Sequence, residues 1–184
     1  LQGLTLLSKA TMMFGLAKYL PVEEVGRFGL FFATINLAMY AVGMDFYAFS
    51  AREILSASAE GMPRIVRNQL ALHLATYLVV IPPLLLLLVF TFGMLPSSLV
   101  GWFCVLLVLD HLGQELQRVL VTLQRSSHAA LILFVRQGIW GLGVPAAMAL
   151  TSKNRNLESV FVVWALCGVI GLLLGVWCMR DFAW

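Results

Sequence analysis

The chain has 184 residues, of which 61% are hydrophobic and 11% are charged, whereas a soluble domain is about 45–50% apolar and about 25% charged. A soluble core of this size cannot bury so much apolar surface, so the composition excludes an ordinary water-soluble domain and indicates a membrane protein. The net charge of +3 is small and the basic residues are dispersed, which argues against nucleic acid as a partner.

Long hydrophobic stretches predict an all-α membrane protein, folded as a single bundle of six transmembrane helices. In chain order, the helices are expected at about residues 1–20, 28–50, 70–95, 99–125, 129–150 and 158–179. Between the second and third helices, Gly61 and Pro63 favour a polar loop that runs from Ala51 to Asn68. The remaining connections are short, which is typical of neighbouring helices in one bundle.

The positions of Lys and Arg near the helix ends predict the orientation of the bundle. One set of ends carries Arg52, Arg64, Arg67, Arg125 and Arg180, with Arg136 nearby, and the other set carries Arg27, Lys153 and Arg155. Because cytoplasmic loops of membrane proteins are enriched in Lys and Arg, this asymmetry places the N-terminus in the cytoplasm.

The fourth predicted helix begins as plain hydrophobic sequence and then becomes unusually polar. At about 100° per residue, one half of its circumference collects the polar side chains. We call this set the polar half: Asp110, His111, Gln114, Glu115, Gln117, Arg118, Thr122, Gln124 and Arg125. A charge that faces lipid near a helix centre costs roughly 2.5–3.5 kcal/mol. The polar half is therefore expected to face a water-filled cavity or oppositely charged partners, for which Lys9 and Arg136 are candidates.

Purely structural interpretations compete with a functional one at several positions. Glu115 and Arg118 are spaced to pair within one helix, and Arg118 and Arg125 can extend to the membrane surface. Asp45 is either an interfacial residue or part of a site, and a lone His73 in an apolar stretch is more typical of packing than of proton transfer.

Motifs for catalysis and metal binding are missing from the sequence. Cys104, Cys167 and Cys178 lie within apolar stretches without the spacing of metal ligands, so neither a metal nor another cofactor is expected. No nucleophile motif, zinc-protease motif or phosphate-binding loop is found either. The sequence therefore favours a transporter over an enzyme.

Four segments resemble a known family: VGRFGL at 25–30, DFYAFSARE at 45–53, QELQR at 114–118, and Arg136 four residues before Trp140. Together they are similar to the polysaccharide-export branch of the multidrug/oligosaccharidyl-lipid/polysaccharide flippase superfamily. The resemblance implies a bacterial inner-membrane protein that flips an undecaprenyl-diphosphate-linked oligosaccharide, such as an O-antigen or capsule unit. Members of this family have about twelve or more helices in two lobes around a cationic cavity, so this chain would supply the first lobe.

The resemblance also implies roles for individual residues. Lys9, Arg118 and Arg136 would bind the diphosphate, Gln114, Gln117 and Gln124 would bind sugars, Asp110 and Glu115 would bind a coupling proton or sodium ion, and Asp45, His111 and Arg125 are further candidates. Membrane lipids and the polysaccharide polymerase machinery would be its other partners. Two alternatives remain open: a cation-coupled drug exporter of the same superfamily, and a non-transporting membrane assembly subunit.

Overall fold

A computed structural model describes residues 2–44, 46–58, 61–91, 93 and 95–180, with the backbone alone described for Gln2. Asp45, a predicted site residue, lies outside the described residues. The α-helices are α1 (Gln2–Tyr19), α2 (Val22–Gly43), α3 (Phe46–Ser56), α4 (Met62–Leu86), α5 (Val100–Thr122), α6 (Ser126–Leu133), α7 (Trp140–Leu150) and α8 (Leu157–Cys178). A π-helical segment, Leu87–Thr91, extends α4, and a second, Phe134–Ile139, joins α6 to α7. All regular structure in the described part of the chain is helical, which confirms the predicted class.

Five helical stretches within the described ranges are long and apolar enough to cross a membrane, whereas six were predicted. They are Val22–Gly43, Met62–Thr91, Ser97–Thr122, Ser126–Leu150 and Leu157–Cys178. The predicted span that is not among these five is the first, at about residues 1–20; it corresponds to α1, whose 18 residues include the polar side chains Thr5, Ser8 and Lys9. The chain is therefore an all-α protein with five candidate membrane spans.

The predicted polar loop from Ala51 to Asn68 is largely wrong. Helix α3 continues to Ser56, and α4 begins at Met62. Pro63 lies in the first turn of α4, where a missing backbone N–H costs nothing because that group has no partner within the helix. The proline therefore starts a helix here and does not break one.

The second helix also differs from the expected 28–50. It begins at Val22, directly after Pro21, and Glu23 and Glu24 occupy its first turn, where carboxylates stabilise the positive end of the helix dipole. It ends at Gly43, because Met44 adopts a left-handed conformation with φ of 39°.

From Gln69 to Leu78, helix α4 has polar side chains inside the bundle and apolar ones outside. Gln69, His73, Thr76 and Tyr77 are all buried, whereas Leu78 is 80% exposed, as are Leu70 and Leu74 to lesser degrees. In water a surface helix shows the opposite arrangement. The arrangement suits a helix whose outer face contacts lipid.

Helix α1 shows the same reversal. Its Thr5 and Ser8 are buried, while Phe14 is 78% exposed and Leu6 is 69% exposed. The helix packs against α7 and the second π-helical segment. By its packing, α1 therefore belongs to the same bundle as the five candidate spans, although its polar residues lower its hydropathy.

Helix α5 is the central element of the bundle. It packs against α8, α6, α2, α3 and α4. Its contact with α8 is close because Gly168 and Gly175 lie opposite Leu109 and Leu116, and small residues let membrane helices approach each other. The polar half of α5 is consequently brought to the middle of the molecule.

A charge at Leu78 tests the lipid-facing surface. Leu78 lies near the middle of the 30-residue stretch Met62–Thr91, so Leu78→Lys is expected to reduce membrane insertion of this stretch by roughly 2.5–3.5 kcal/mol. The insertion efficiency is measured by glycosylation of acceptor sites placed on either side of it. Leu78→Met is the matched control, and equal insertion of the Lys and Met variants would contradict a lipid-facing α4.

Candidate cavity and buried ion pairs

A cavity of about 670 Å³ lies between α2, α5 and the second π-helical segment. Its wall consists of Asn36, Met39, Tyr40, Gly43, Met44, His111, Gln114, Gln117, Arg118, Leu133, Arg136 and Gln137. Amide groups and two guanidinium groups give this wall its polar character. Within the described ranges no carboxylate belongs to the wall; Asp45, next to Met44, lies outside those ranges.

Arg136 occupies a narrow slot between α5 and α8. Its side chain is 2% exposed, and its Nη1 donates to the backbone oxygen of Asp110 at 2.6 Å and to Asp110 Oδ1 at 3.3 Å. A Cβ atom on Gly113 would lie 2.6 Å from Arg136 Cδ, and one on Gly171 would lie 3.1 Å from Arg136 Cβ. Glycine at these two positions therefore leaves the space in which the arginine reaches both the carboxylate and the cavity.

The second oxygen of Asp110 is satisfied by a tryptophan. Trp164 Nε1 donates to Asp110 Oδ2 at 3.2 Å, and Trp164 stacks on Trp140 with ring centroids 4.9 Å apart. Lys9 interacts electrostatically with both Asp110 and Arg136. One carboxylate thus faces two basic side chains in this group.

The π-helical segment that carries Arg136 is held by α1. In such a segment the usual hydrogen-bond pattern of the helix is interrupted, so carbonyl groups need other partners. The hydroxyl of Ser8, which is fully buried, donates to the carbonyl of Gly138. Helix α1 therefore contributes both a charge, Lys9, and a backbone contact to the region around Arg136.

Glu115 forms a second buried group, between α5 and α4. Its side chain is 3% exposed; Oε2 accepts a hydrogen bond from Gln69 Nε2 at 2.8 Å, and Oε1 accepts one from Arg118 Nη1 at 2.7 Å. His73 Nε2 lies 3.4 Å from Glu115 Oε2. Arg118 is 33% exposed, lines the cavity, and lies over the ring of Tyr47. It therefore connects the buried carboxylate with the cavity.

His111 lies at the boundary between the cavity and the Glu115 group. Its Nδ1 is hydrogen-bonded to the hydroxyl of Tyr77 at 2.8 Å, and its ring lies 4.8 Å from the ring of His73. Its Nε2 points toward Gly43, where a Cβ atom would be 3.2 Å away. A larger residue at position 43 would therefore press against the imidazole.

The structure separates the predicted site residues into three sets. His111, Gln114, Gln117, Arg118 and Arg136 line the cavity, whereas Asp110, Glu115 and Lys9 lie behind its wall in the two buried groups. Gln124 and Arg125 follow the end of α5 and do not line the cavity. Of the polar half, some members therefore face the cavity and the two carboxylates face partners on neighbouring helices, whereas Gln124 and Arg125 face neither the cavity nor a carboxylate among the described residues.

Gln124 and Arg125 occupy a turn and a helix cap outside the cavity. Gln124 is exposed and adopts a left-handed conformation with φ of 59°. Arg125 Nη1 donates to the carbonyl of Cys178 at 2.7 Å, where it caps the last turn of α8. The sugar-binding role of Gln124 stays a prediction without support from the cavity geometry, and so does the ion-binding role of Asp110 and Glu115.

Several residues near the site were not anticipated from the sequence, and His73 was interpreted as a packing residue. Gln69, His73 and Tyr77 recur every fourth residue, so they lie on one face of α4, and this spacing is a signal that could have been read. Trp164 and Gln137 carried no comparable signal. Three or more His, Cys, Asp or Glu residues do not come together as a metal site anywhere in the described part of the chain.

The slot for Arg136 is tested by adding one methyl group. Gly113→Ala is expected to lower the free energy of unfolding by about 1–3 kcal/mol, since the methyl group overlaps the buried arginine. Gly101→Ala lies in the same helix with open space around its Cβ position, and it is expected to be neutral or slightly stabilising. Unfolding in mixed detergent micelles measures both, and equal effects would show that Gly113 has no special steric role.

Comparison with family models, with curated proteins and with solved structures finds no match for this chain. Its function is therefore inferred from its own residues and from the segments whose resemblance is described above.

Proposed function

We propose that this chain forms a lobe of a flippase that moves an undecaprenyl-diphosphate-linked oligosaccharide across the bacterial inner membrane, for the synthesis of a surface polysaccharide. The observation that supports this most directly is a cavity with two guanidinium groups inside a lipid-facing bundle. Charged residues inside a membrane are costly, and they are typical of a path for a polar solute. The N-terminus would lie in the cytoplasm, and the polymerase machinery would use the flipped product.

The chemistry of the wall suits a diphosphate. Arg118 and Arg136 can each form charge-assisted hydrogen bonds with phosphate oxygens, and Lys9 adds positive potential behind Arg136. Such interactions are strong where water is scarce and the dielectric constant is low. Arg136 Nε has no hydrogen-bond partner among the described residues, so not all of the donors of this guanidinium are used by Asp110.

The size and the neutral groups of the cavity suit the sugar next to the diphosphate. Gln114, Gln117, Asn36 and Gln137 present amide donors and acceptors to the same space, and amides can bind sugar hydroxyl groups. A volume of about 670 Å³ lies within the range of about 300–1,000 Å³ that is usual for small-ligand sites. It therefore holds the diphosphate with its nearest sugars, while the polyprenyl tail stays in the bilayer.

The cavity argues against a cationic drug as the substrate. Its described lining residues include Arg118 and Arg136 but no carboxylate, and a further basic residue, Lys9, lies behind Arg136. A positive ligand would therefore meet electrostatic repulsion at this wall.

A non-transporting assembly subunit is the second candidate. The observation that favours it is the pairing of Asp110 and Glu115 with residues of neighbouring helices, because such pairs also hold bundles together. The two candidates differ in whether Arg118 contacts a ligand.

Replacing Arg118 tests the diphosphate site. Arg118→Gln is expected to weaken binding of a fluorescent polyprenyl-diphosphate oligosaccharide to the full chain in lipid nanodiscs by about 10- to 100-fold, since a hydrogen bond to a charged group contributes about 1.5–3 kcal/mol. Arg64→Gln removes an exposed arginine of α4 and is expected to leave binding unchanged. Equal affinity of all three proteins, or no binding by any, would overturn the proposed site and favour the assembly subunit.

A further inference from the structure

Trp164 of α8 joins the Asp110 pair to a cluster of aromatic rings. It is 2% exposed, and its ring stacks on that of Trp140 with an interplanar angle of 3°. By ring centroids it lies 5.7 Å from Phe32 and 6.5 Å from Phe28. Because rings of α7 and α2 pack against the indole, its orientation is restricted, and so is the direction in which Nε1 donates to Asp110 Oδ2.

The face of α8 that carries Trp164 leaves space for its neighbours. Gly168 and Gly171 follow Trp164 at helical spacing, so the three residues lie on one face of the helix. A Cβ atom on Gly168 would lie 3.3 Å from Leu109 Cβ, and one on Gly171 would lie 3.1 Å from Arg136 Cβ. The same face of α8 therefore supplies a hydrogen-bond donor and the room in which the arginine passes.

Arg136 uses only part of its guanidinium on Asp110. Pairs of arginine and carboxylate are frequently bidentate, with two N–H groups bound to two oxygens. Here both hydrogen bonds to Asp110 come from Nη1, and one of them goes to the backbone oxygen. The contact with Oδ1, at 3.3 Å, is longer than the roughly 2.7–2.9 Å that is usual for a charged pair. Arg136 thus meets one carboxylate oxygen, at long range.

The hydrogen bond from Trp164 accounts for this single-oxygen pair. The packed indole holds Oδ2 toward α8, so the carboxylate turns only Oδ1 toward Arg136. Without the indole N–H, Oδ2 would lack its donor in a residue that is 7% exposed, and a buried oxygen without a partner costs free energy. The guanidinium is the nearest group that could bind it, by forming the bidentate pair.

We propose that Trp164 is a positioning residue for Arg136 in the anion site. By holding Asp110 Oδ2, it prevents a bidentate pair and leaves N–H groups of Arg136 for a phosphate group in the cavity. Trp164 is not among the residues that line the cavity, so it acts through Asp110 and not by contact with the ligand. The inference rests on the proposed function in taking that ligand to be a phosphate-bearing anion.

Trp140 provides a matched control, because it is the other member of the stack and does not bind Asp110. It is also 2% exposed, and its Nε1 is buried without a hydrogen-bond partner among the described residues. A change of either tryptophan to phenylalanine removes part of the stack, but only the change at position 164 removes a donor from the carboxylate. An effect of packing alone would therefore appear in both variants.

The first experiment observes the hydrogen bond. The full chain is labelled with ¹⁵N-tryptophan in lipid nanodiscs, and the indole N–H signals of Trp164 and Trp140 are assigned by their loss in Trp164→Phe and Trp140→Phe. Asp110→Asn is expected to shift the Trp164 signal more than the Trp140 signal, since an amide oxygen is a weaker acceptor than a carboxylate. A Trp164 signal that stays in place would overturn the bond and the proposed role with it.

The second experiment measures binding of inorganic pyrophosphate to the same nanodiscs by calorimetry. Trp164→Phe is expected to weaken binding about tenfold, the order of one hydrogen bond to a charged group, whereas Trp140→Phe is expected to keep the wild-type affinity. Replacement of Trp164 by benzothienylalanine, which has sulfur in place of the indole N–H, retains the size of the ring. It is expected to weaken binding as Trp164→Phe does, and it serves where phenylalanine disturbs folding.

A double-mutant cycle shows whether Trp164 acts through Asp110. The side chain of Asp110→Asn has a single oxygen, so a bidentate pair cannot form whether the indole is present or not. In this background Trp164→Phe is expected to change pyrophosphate affinity by less than about twofold, the usual limit for independent sites. An undiminished loss of affinity in the Asn background would overturn a role through Asp110.

The outcomes separate this inference from the proposed function. Equal affinity of wild type and Trp164→Phe, or equal losses in the Trp164 and Trp140 variants, would overturn the positioning role while pyrophosphate still binds, so the anion site itself would stand. Failure of the wild-type chain to bind pyrophosphate would overturn the anion site of the proposed function, and the role of Trp164 together with it.

Discussion

The pairing of Arg136 with Asp110 is the interaction on which the arrangement of the bundle depends. A buried charge that loses its partner typically costs 3–5 kcal/mol, so the helices that carry these two residues cannot shift independently. Trp164 connects α8 to the same carboxylate. The side chain of Arg136 passes close to Gly113 and Gly171, where a Cβ atom would crowd it. Lys9 adds α1 to the group. A single carboxylate therefore fixes the relative positions of four parts of the chain.

Because of the π-helical segment, a single turn contributes both to the Arg136–Asp110 pair and to the cavity wall. A π-helical turn holds more residues than an α-helical turn and recurs at functional sites. Here the segment Phe134–Ile139 presents Arg136 and Gln137, both of which line the cavity, while Arg136 also reaches Asp110. The Ser8 hydroxyl binds the carbonyl of Gly138, so the irregular backbone does not leave that group unsatisfied in a water-poor interior.

The sequence predicted the helical class, most of the helices and the polar character of α5, because these depend on composition and on the period of the hydrophobic pattern. It failed between Ala51 and Asn68, where Pro63 was taken to break a helix and in fact begins one. It also missed Gln69 and interpreted His73 as a packing residue, since a polar residue in an apolar stretch shows its partner only when another helix is placed beside it. The assignment of Arg136 and Lys9 as partners of the polar half succeeded because few other charges lie within the hydrophobic stretches.

The separation of buried and cavity-facing groups on α5 follows from the geometry of the helix. At about 100° per residue, Asp110 and Glu115 lie about 140° apart around the helix axis, whereas Gln114, Arg118 and His111 lie between them. The two carboxylates therefore point sideways, toward α8 and α4, where tryptophan, arginine and glutamine donors meet them. The charged and amide side chains in the cavity wall are therefore arginines, glutamines and an asparagine, because the acids of α5 lie at the two edges of its polar half and face neighbouring helices. A wall of this kind attracts anions, although between Asp110 and Thr122 the helix itself carries two acids and one arginine.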